Sequence, residues 1–202
     1  MNQVHGLILS GGQGSRLGGV DKGWVPIVGR PLVQHVLARL HGQVHDLTIS
    51  ANRNLQQYSS LGFPVLPDEA AWLGMGPLAA LATLHTHHGA AWQHDWLLVV
   101  PCDTPLLPLD LVQRLMQPFV VDPHLEVVYA QSPQGVQPSM MLVKCAALAS
   151  VVSYLQSQQR SIRGWQQNLR HQAVVFDQAM LFSNANTSEA VQELENFLLS
   201  YA

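Results

Sequence analysis

The chain has 202 residues, 48% of them apolar and 11% charged, with a formal net charge of −3. That length suits one domain able to bury roughly 70% of the surface its unfolded chain exposes, so no disulfide or metal staple is required for folding. The acidic balance disfavours a general nucleic-acid binder, which must neutralise phosphates, and the weakly polar stretch from Ala70 to Leu84 carries Gly74, Gly76 and Pro77 and falls short of a membrane span. The two cysteines, Cys102 and Cys145, lie far apart and form no metal clip. Met1 to His5 lacks the basic start and apolar run of a secretion signal, so the expected location is the cytoplasm.

Val4 to Leu9 is a short apolar run that ends in a burst of glycines, the pattern of a buried strand. Pro31 to Leu40 reads as a helix with Leu32, Val33, Val36, Leu37 and Leu40 on one face. Strands are expected at Leu47–Ser50 and Pro64–Leu66, and a helix opens at Gly76-Pro77 and runs to about His87. Trp96–Val100 is the next buried strand, stopped at Pro101. A helix over Leu109–Met116, strands at Glu126–Ala130 and Ser139–Val143, and a helix over Ala146–Gln156 follow. Ala173–Phe176 is the last expected strand, and Thr187–Tyr201 an amphipathic helix with Val191, Leu194, Phe197, Leu198 and Tyr201 on one side. Alternation of strand and helix implies crossover connections, hence a single three-layer α/β domain over residues 1–202. It should be Rossmann-like, with a mostly parallel sheet and helices on both faces. Ligands then gather at the carboxyl ends of the strands.

The loop Leu9-Ser10-Gly11-Gly12-Gln13-Gly14-Ser15-Arg16-Leu17-Gly18-Gly19-Val20-Asp21-Lys22 follows the first strand directly. Its glycines let successive backbone N–H groups approach an anion, and Arg16 and Lys22 add positive charge. Lys22 is one of only two lysines in the chain. Two common phosphate motifs are excluded. The dinucleotide fingerprint counted from Gly12 meets Leu17 where its last glycine belongs, and a P-loop needs Gly-Lys-Ser/Thr where this chain has Asp21-Lys22-Gly23. Asp103 follows the strand that ends at Pro101; one carboxylate beside a phosphate-binding loop suits Mg²⁺, which shares its coordination with substrate phosphates. Cys102 reads as a small buried residue. Asp68 reads as a loop acid ahead of a helical turn, and Asn186-Thr187-Ser188-Glu189 as a capping box with Asn186 at the cap. His85-Thr86-His87-His88, with His94 nearby, carries donors for a transition metal, but histidines at a helix end and in a loop are usually solvated, and no metal site is assigned there.

The glycine-rich loop resembles the signature L-A-G-G-x-x-x-R-(M/L)-G-x-x-K of nucleotidyltransferases with the nucleotide-diphosphosugar-transferase fold. Its Gly-Gly form, followed by Gly18-Gly19-Val20-Asp21-Lys22-Gly23, resembles the molybdenum cofactor guanylyltransferases of the MobA type. Gly29–Val36, Ala51-Asn52-Arg53, Gly76–Ala79, Pro101–Pro105 and Asn184–Thr187 fit the same family in the same order, so the resemblance covers nearly the whole chain. It implies transfer of GMP from GTP to the phosphate of molybdenum-molybdopterin with release of pyrophosphate. It implies that Leu9, Ser10, Gly11, Gly12, Lys22, Asp68 and Asp103 bind the nucleotide, that Asp103 holds Mg²⁺, and that Arg16, Lys22 and Asp103 are catalytic. Arg16, Gly19, Asp21, Asn184 and Asn186 fall to the pterin side. Molybdenum-insertion proteins and molybdoenzyme chaperones are the partners it implies. The chain departs from the pattern at Ser10 (usually Ala), at Ser50 (Asn in these guanylyltransferases) and at Gln137-Pro138-Ser139 (a His-Pro-Thr-like stretch). A cytidylyltransferase on the same cofactor, a sugar-phosphate nucleotidyltransferase and a non-catalytic carrier of nucleotide or molybdopterin remain alternatives. Cytidylyl relatives usually carry L-A-A-G, where this chain has Gly11 at the third place.

Overall fold

The structure, a computed structural model, describes residues 3–10, 20–89 and 94–200. Its elements in chain order are β1 (Val4–Leu9), β2 (Pro26–Ile27), β3 (Arg30–Pro31), α1 (Leu32–Leu40), β4 (Asp46–Ser50), α2 (Leu55–Ser59), β5 (Val65–Leu66) and α3 (Pro77–His88). The chain continues through β6 (Trp96–Pro101), α4 (Leu111–Val121), β7 (Val127–Ser132), β8 (Gly135–Lys144), α5 (Ala149–Gln156), α6 (Ile162–Gln166), β9 (His171–Val175) and α7 (Ser188–Ser200). Seven strands make one sheet in the order β5-β4-β1-β6-β8-β7-β9, and β2 and β3 form a separate hairpin. Four of the six pairings in the large sheet are parallel; β8 runs antiparallel to both β6 and β7. The sheet is thus mostly parallel, as expected, with one reversed strand supplied by the β7–β8 hairpin.

Because side chains alternate across a strand, the sheet splits the core into two layers. Ile8, Ile49, Leu98, Val100 and Leu142 pack on one face with α1 and α4 residues such as Val36 and Leu115. Leu7, Leu97, Val99, Met141 and Val143 pack on the other, against Leu78 and Leu81 of α3 and Val151 of α5. A third, smaller cluster joins Ile27 of β2, Leu32 of α1, Leu106, Ala185 and Leu194 of α7. This cluster matters for the site, because it locks distant stretches of chain against the carboxyl edge of the sheet. The β2–β3 hairpin belongs to it. Its turn residues Val28 and Gly29 have φ of 47° and 71°, the positive values that a tight two-residue hairpin demands. The Val28 N–H donates to Glu195 Oε1 at 3.0 Å, tying the hairpin to α7.

Several boundaries differ from the sequence reading for identifiable reasons. The helix expected over Leu109–Met116 starts at Leu111 and runs through Pro118 to Val121. Burial of Phe119 against Trp96, ring centroids 4.3 Å apart, compensates the backbone bond that Pro118 cannot make. The segment expected as one helix over Ala146–Gln156 begins as a 3₁₀ turn, Cys145–Leu148. The strand expected to begin at Ala173 begins at His171, and the last helix spans Ser188–Ser200. Neither α2 nor α6 was expected: each has five residues, too few to show a helical period. Among the described residues no helix is long and apolar enough to cross a membrane.

Leu98 is fully buried at the centre of the sheet. Leu98→Ala is expected to cost about 3 kcal/mol of unfolding free energy through lost transfer energy and an unfilled cavity. Equilibrium urea denaturation measures this, and a loss below about 1 kcal/mol contradicts the packing described.

Candidate active site

The carboxyl ends of the three central parallel strands lie side by side. The Ser10 N–H donates to Ser50 O at 2.8 Å and the Cys102 N–H to Leu9 O at 3.1 Å, which aligns the exits of β1, β4 and β6. After Pro101 the chain turns, and Asp103 stands at the edge of the sheet. Opposite it, a 3₁₀ turn over Lys22–Trp24 presents Lys22. The Lys22 Nζ lies 3.3 Å from Asp103 Oδ2, with 23% and 13% of the two side chains exposed. Lys22 Nζ also donates to Asn186 Oδ1. One ammonium group therefore joins residues 81 and 164 positions away in sequence.

Each member of this trio is held from behind. Asp21 is buried, and its carboxylate accepts from the Tyr58 hydroxyl at 2.7 Å, from Asn54 Nδ2 at 3.0 Å and from the Gly23 N–H at 3.2 Å. Three donors for one buried carboxylate offset its desolvation. They also fix the backbone just ahead of Lys22. Burial pushes the Tyr58 phenol far up in pKa, so it remains a donor to Asp21. A Cβ on Gly23 would run into the Tyr58 hydroxyl, so the turn requires glycine for close approach. On the other side, the Ala185 N–H donates to Asp103 O at 2.9 Å, and the Thr104 hydroxyl donates to Asn184 Oδ1 at 2.6 Å. These bonds bring the segment before α7 alongside the turn after β6.

A cavity of about 830 Å³ opens at the same strand exits, lined among others by Leu9, Pro101, Asn52, Arg53, Asp68 and Ser139. That volume lies in the range of small-molecule sites. Asp68 is fixed by a paired contact: Asn52 Nδ2 donates to its Oδ2 at 2.7 Å while its own N–H donates to Asn52 Oδ1 at 2.8 Å. Its other oxygen, Oδ1, is buried without a hydrogen-bond partner among the described residues. Burial raises the Asp68 pKa, and the Asn52 bond partly opposes that rise. Cys102 is buried, and burial raises its thiol pKa to about 12, which removes it as a nucleophile.

The residues expected from sequence distribute as follows. Lys22, Asp103 and Asn186 come together, and Asn184 joins them through Thr104. Leu9 and Asp68 line the adjoining cavity, and Ser10 is buried beside Ser50. Asp21 points inward and positions Lys22 rather than facing the open edge. Gly11, Gly12, Arg16 and Gly19 lie outside the described residues. The expected capping box does not form: Thr187 Oγ1 accepts from the Ala190 N–H at 3.2 Å, so Thr187 is the cap of α7 and Asn186 is available to Lys22. The sequence reading assigned no role to Asn52, Arg53, Tyr58 or Thr104. The first two stood in a quoted motif, Ala51-Asn52-Arg53, just beyond a strand; a buried Tyr 37 residues from its carboxylate partner leaves no local signal.

Residues 6–174 match the family model for the MobA-like NTP transferase domain. The chain belongs to the MobA-like NTP transferase family. It is a nucleotidyltransferase, and its family's work lies in molybdenum cofactor biosynthesis. A molybdenum cofactor guanylyltransferase of Cupriavidus taiwanensis is 41% identical over 202 residues, covering 96% of this chain and 97% of that one. The molybdopterin-guanine dinucleotide biosynthesis protein A of Archaeoglobus fulgidus superposes with a TM-score of 0.75 at 17% identity, covering 97% of this chain and 99% of that one. The Rv0371C protein of Mycobacterium tuberculosis, solved in complex with manganese, superposes with a TM-score of 0.68 at 13% identity, covering 96% of this chain and 98% of that one. These solved structures share the fold of this MobA-like transferase.

Tyr58→Phe keeps the ring and removes one of the three donors to buried Asp21. The expected cost is about 1–3 kcal/mol. Urea denaturation of the variant measures it, and an unchanged midpoint contradicts the anchoring role of Asp21.

Proposed function

We propose that this nucleotidyltransferase transfers GMP from GTP to the terminal phosphate of molybdenum-molybdopterin and releases pyrophosphate. The observation that carries the reading is the Lys22–Asp103–Asn186 trio at the same sheet edge as a cavity lined by Leu9, Pro101 and Asp68. The guanylyltransferase of Cupriavidus taiwanensis, alike over nearly the whole chain, supports the choice of reaction.

In this reaction an oxygen of the acceptor phosphate forms a new bond to the α-phosphorus of GTP. The bond from that phosphorus to the α–β bridging oxygen breaks, and pyrophosphate leaves with the electron pair. The acceptor oxygen is already anionic, so no general base is required. The barrier lies in bringing two anions together, so the protein's work is positioning and charge neutralisation. Lys22 supplies a positive charge for the phosphates, held in place by Asp21 behind and Asn186 ahead. Asp68 Oδ1, buried and in want of a donor, suits the N–H edge of guanine, with Asn52 holding the carboxylate in plane. Arg53 lines the same cavity and adds a second cation near the nucleotide. Asn184 and Asn186 stand on the acceptor side.

The donors at this edge suit a hard divalent cation: the Asp103 carboxylate is partly exposed at a strand end, and the oxygens of the bound phosphates would complete the set. Asp103 would hold Mg²⁺, which when bound adds charge stabilisation at the phosphates. Arg16 and the backbone of Gly11 and Gly12 are assigned to the phosphates, and Gly19 to the pterin side, on the family resemblance.

Lys22→Ala is expected to slow pyrophosphate release with GTP, Mg²⁺ and molybdenum-molybdopterin by about 10²–10³-fold. Near-normal turnover contradicts the assignment of Lys22, and absence of turnover in the parent protein favours a carrier. Calorimetric titration separates the bases: GTP is expected to bind more tightly than CTP, and Asp68→Asn to narrow that preference. Tighter CTP binding by the parent protein contradicts the guanine assignment.

A further inference from the structure

The opposite edge of the sheet carries a second concentration of chemistry. Its parts come from three neighbouring strands. His5 is the second residue of β1, Asp46 opens β4 directly across from it in the register, and His94 lies two residues before β6. One ligating atom from each of these three side chains lies within 4.8 Å of the other two. The His94 Nε2 is 3.1 Å from Asp46 Oδ2, and the His5 and His94 ring centroids are 5.2 Å apart. Two more imidazoles border the group. His45 Nδ1 lies 2.9 Å from Asp46 Oδ2, and His88, at the carboxyl end of α3, has its ring centroid 6.1 Å from that of His5.

From this convergence we propose that His5, Asp46 and His94 form a binding site for a borderline divalent transition-metal ion, zinc by its donor set. Two imidazoles and a carboxylate are common protein ligands of zinc and a poor match for Mg²⁺, which prefers oxygen donors and water. A tetrahedral zinc site has donor atoms roughly 3.3 Å apart; His94 and Asp46 are already at that spacing, and the widest pair has to close by at most about 1.5 Å. Asp46 and His94 are not fully buried and have room to do so, whereas His5 is buried and fixed. His5 Nε2 is 3.0 Å from Thr48 Oγ1, a bond that sets the orientation of its ring, as a second partner commonly does for a ligating imidazole. A cavity of about 950 Å³ lined by these same side chains gives an ion access from solvent. His88, His45 or water would complete the coordination.

The sequence run His85-Thr86-His87-His88 with His94 was read as solvated. The structure changes the set: His94 joins His5 and Asp46, which lie far away in sequence, and His85 and His87 are not in the group. The site is also separate from the nucleotide edge. Leu9 lies four positions beyond His5 along β1, about 13 Å of strand. A metal here clips β4, β1 and the lead-in to β6 together at the amino edge and does not touch the phosphates.

Isothermal titration of the untagged, EDTA-treated full chain with ZnCl₂ tests the site. The expected result is one zinc per chain with a Kd tighter than about 10 µM. His94→Ala and Asp46→Asn are each expected to weaken binding at least about tenfold, while Asp103→Asn binds zinc as the parent does. Both altered side chains border the solvent-accessible cavity, and circular dichroism reports their folding. Substituting Co²⁺ should give visible bands without thiolate charge-transfer absorption, which separates this site from one at Cys102 or Cys145. A parent Kd weaker than about 10 µM, equal binding by the His94 and Asp46 variants, or loss of binding in Asp103→Asn overturns the proposal.

Discussion

The contact of one ammonium group with a carboxylate and an amide oxygen organises this molecule's working end. Lys22, Asp103 and Asn186 come from the beginning, middle and end of the chain, and each arrives by a different device. A 3₁₀ turn anchored by buried Asp21 presents the lysine, a proline-terminated strand presents the aspartate, and the segment leading to α7 presents the asparagine. Without substrate the lysine is partly neutralised by its neighbours. That arrangement holds it in place, since a mobile lysine loses considerable rotamer entropy on being fixed. In the proposed reaction, polyphosphate meets a cation whose position is already set, the condition under which electrostatic stabilisation is most effective.

The same constraint explains features of the fold that carry no chemistry. The cluster of Ile27, Leu32, Leu106, Ala185 and Leu194 is small, yet it pins the β2–β3 hairpin, the start of α1, the turn after β6 and α7 to one another. The parallel order β4-β1-β6 puts three strand exits together at one edge and three strand entries at the other. The exits hold the Lys22–Asp103–Asn186 trio, and the entries hold the imidazole cluster. The two edges are separated by the strands themselves, so each can carry its own ligand chemistry.

Much of the architecture was legible from sequence because apolar periodicity and terminators are local. The runs at Val4–Leu9 and Trp96–Val100, and the helix opening at Pro77, match the structure to within a residue or two. The reversed direction of β8 was not legible, because a strand's apolar pattern says nothing of its orientation. Short elements such as α2 and α6 carry too few residues for a period. At the site, Lys22 stood out as a cation in a glycine-rich loop and Asp103 as an acid just beyond an apolar strand, and their roles came from the family resemblance. Tyr58 and Thr104 were missed because each acts through one hydrogen bond to a partner 37 or 80 residues away. Asn186 was assigned a capping role by its local pattern, and the cap passed to Thr187 because tertiary contact with Lys22 claimed the asparagine side chain. The histidine run at 85–88 was judged only against its sequence neighbours, whereas the relevant partners of His94 sit on other strands.

A crystal structure of the full chain with GTP and Mg²⁺ examines the organising role of the Lys22 contact most directly. The triphosphate should lie against Lys22 with the Mg²⁺ ion on Asp103, and the base in the cavity lined by Asp68. A nucleotide bound elsewhere, or a triphosphate out of reach of both Lys22 and Asp103, would contradict it.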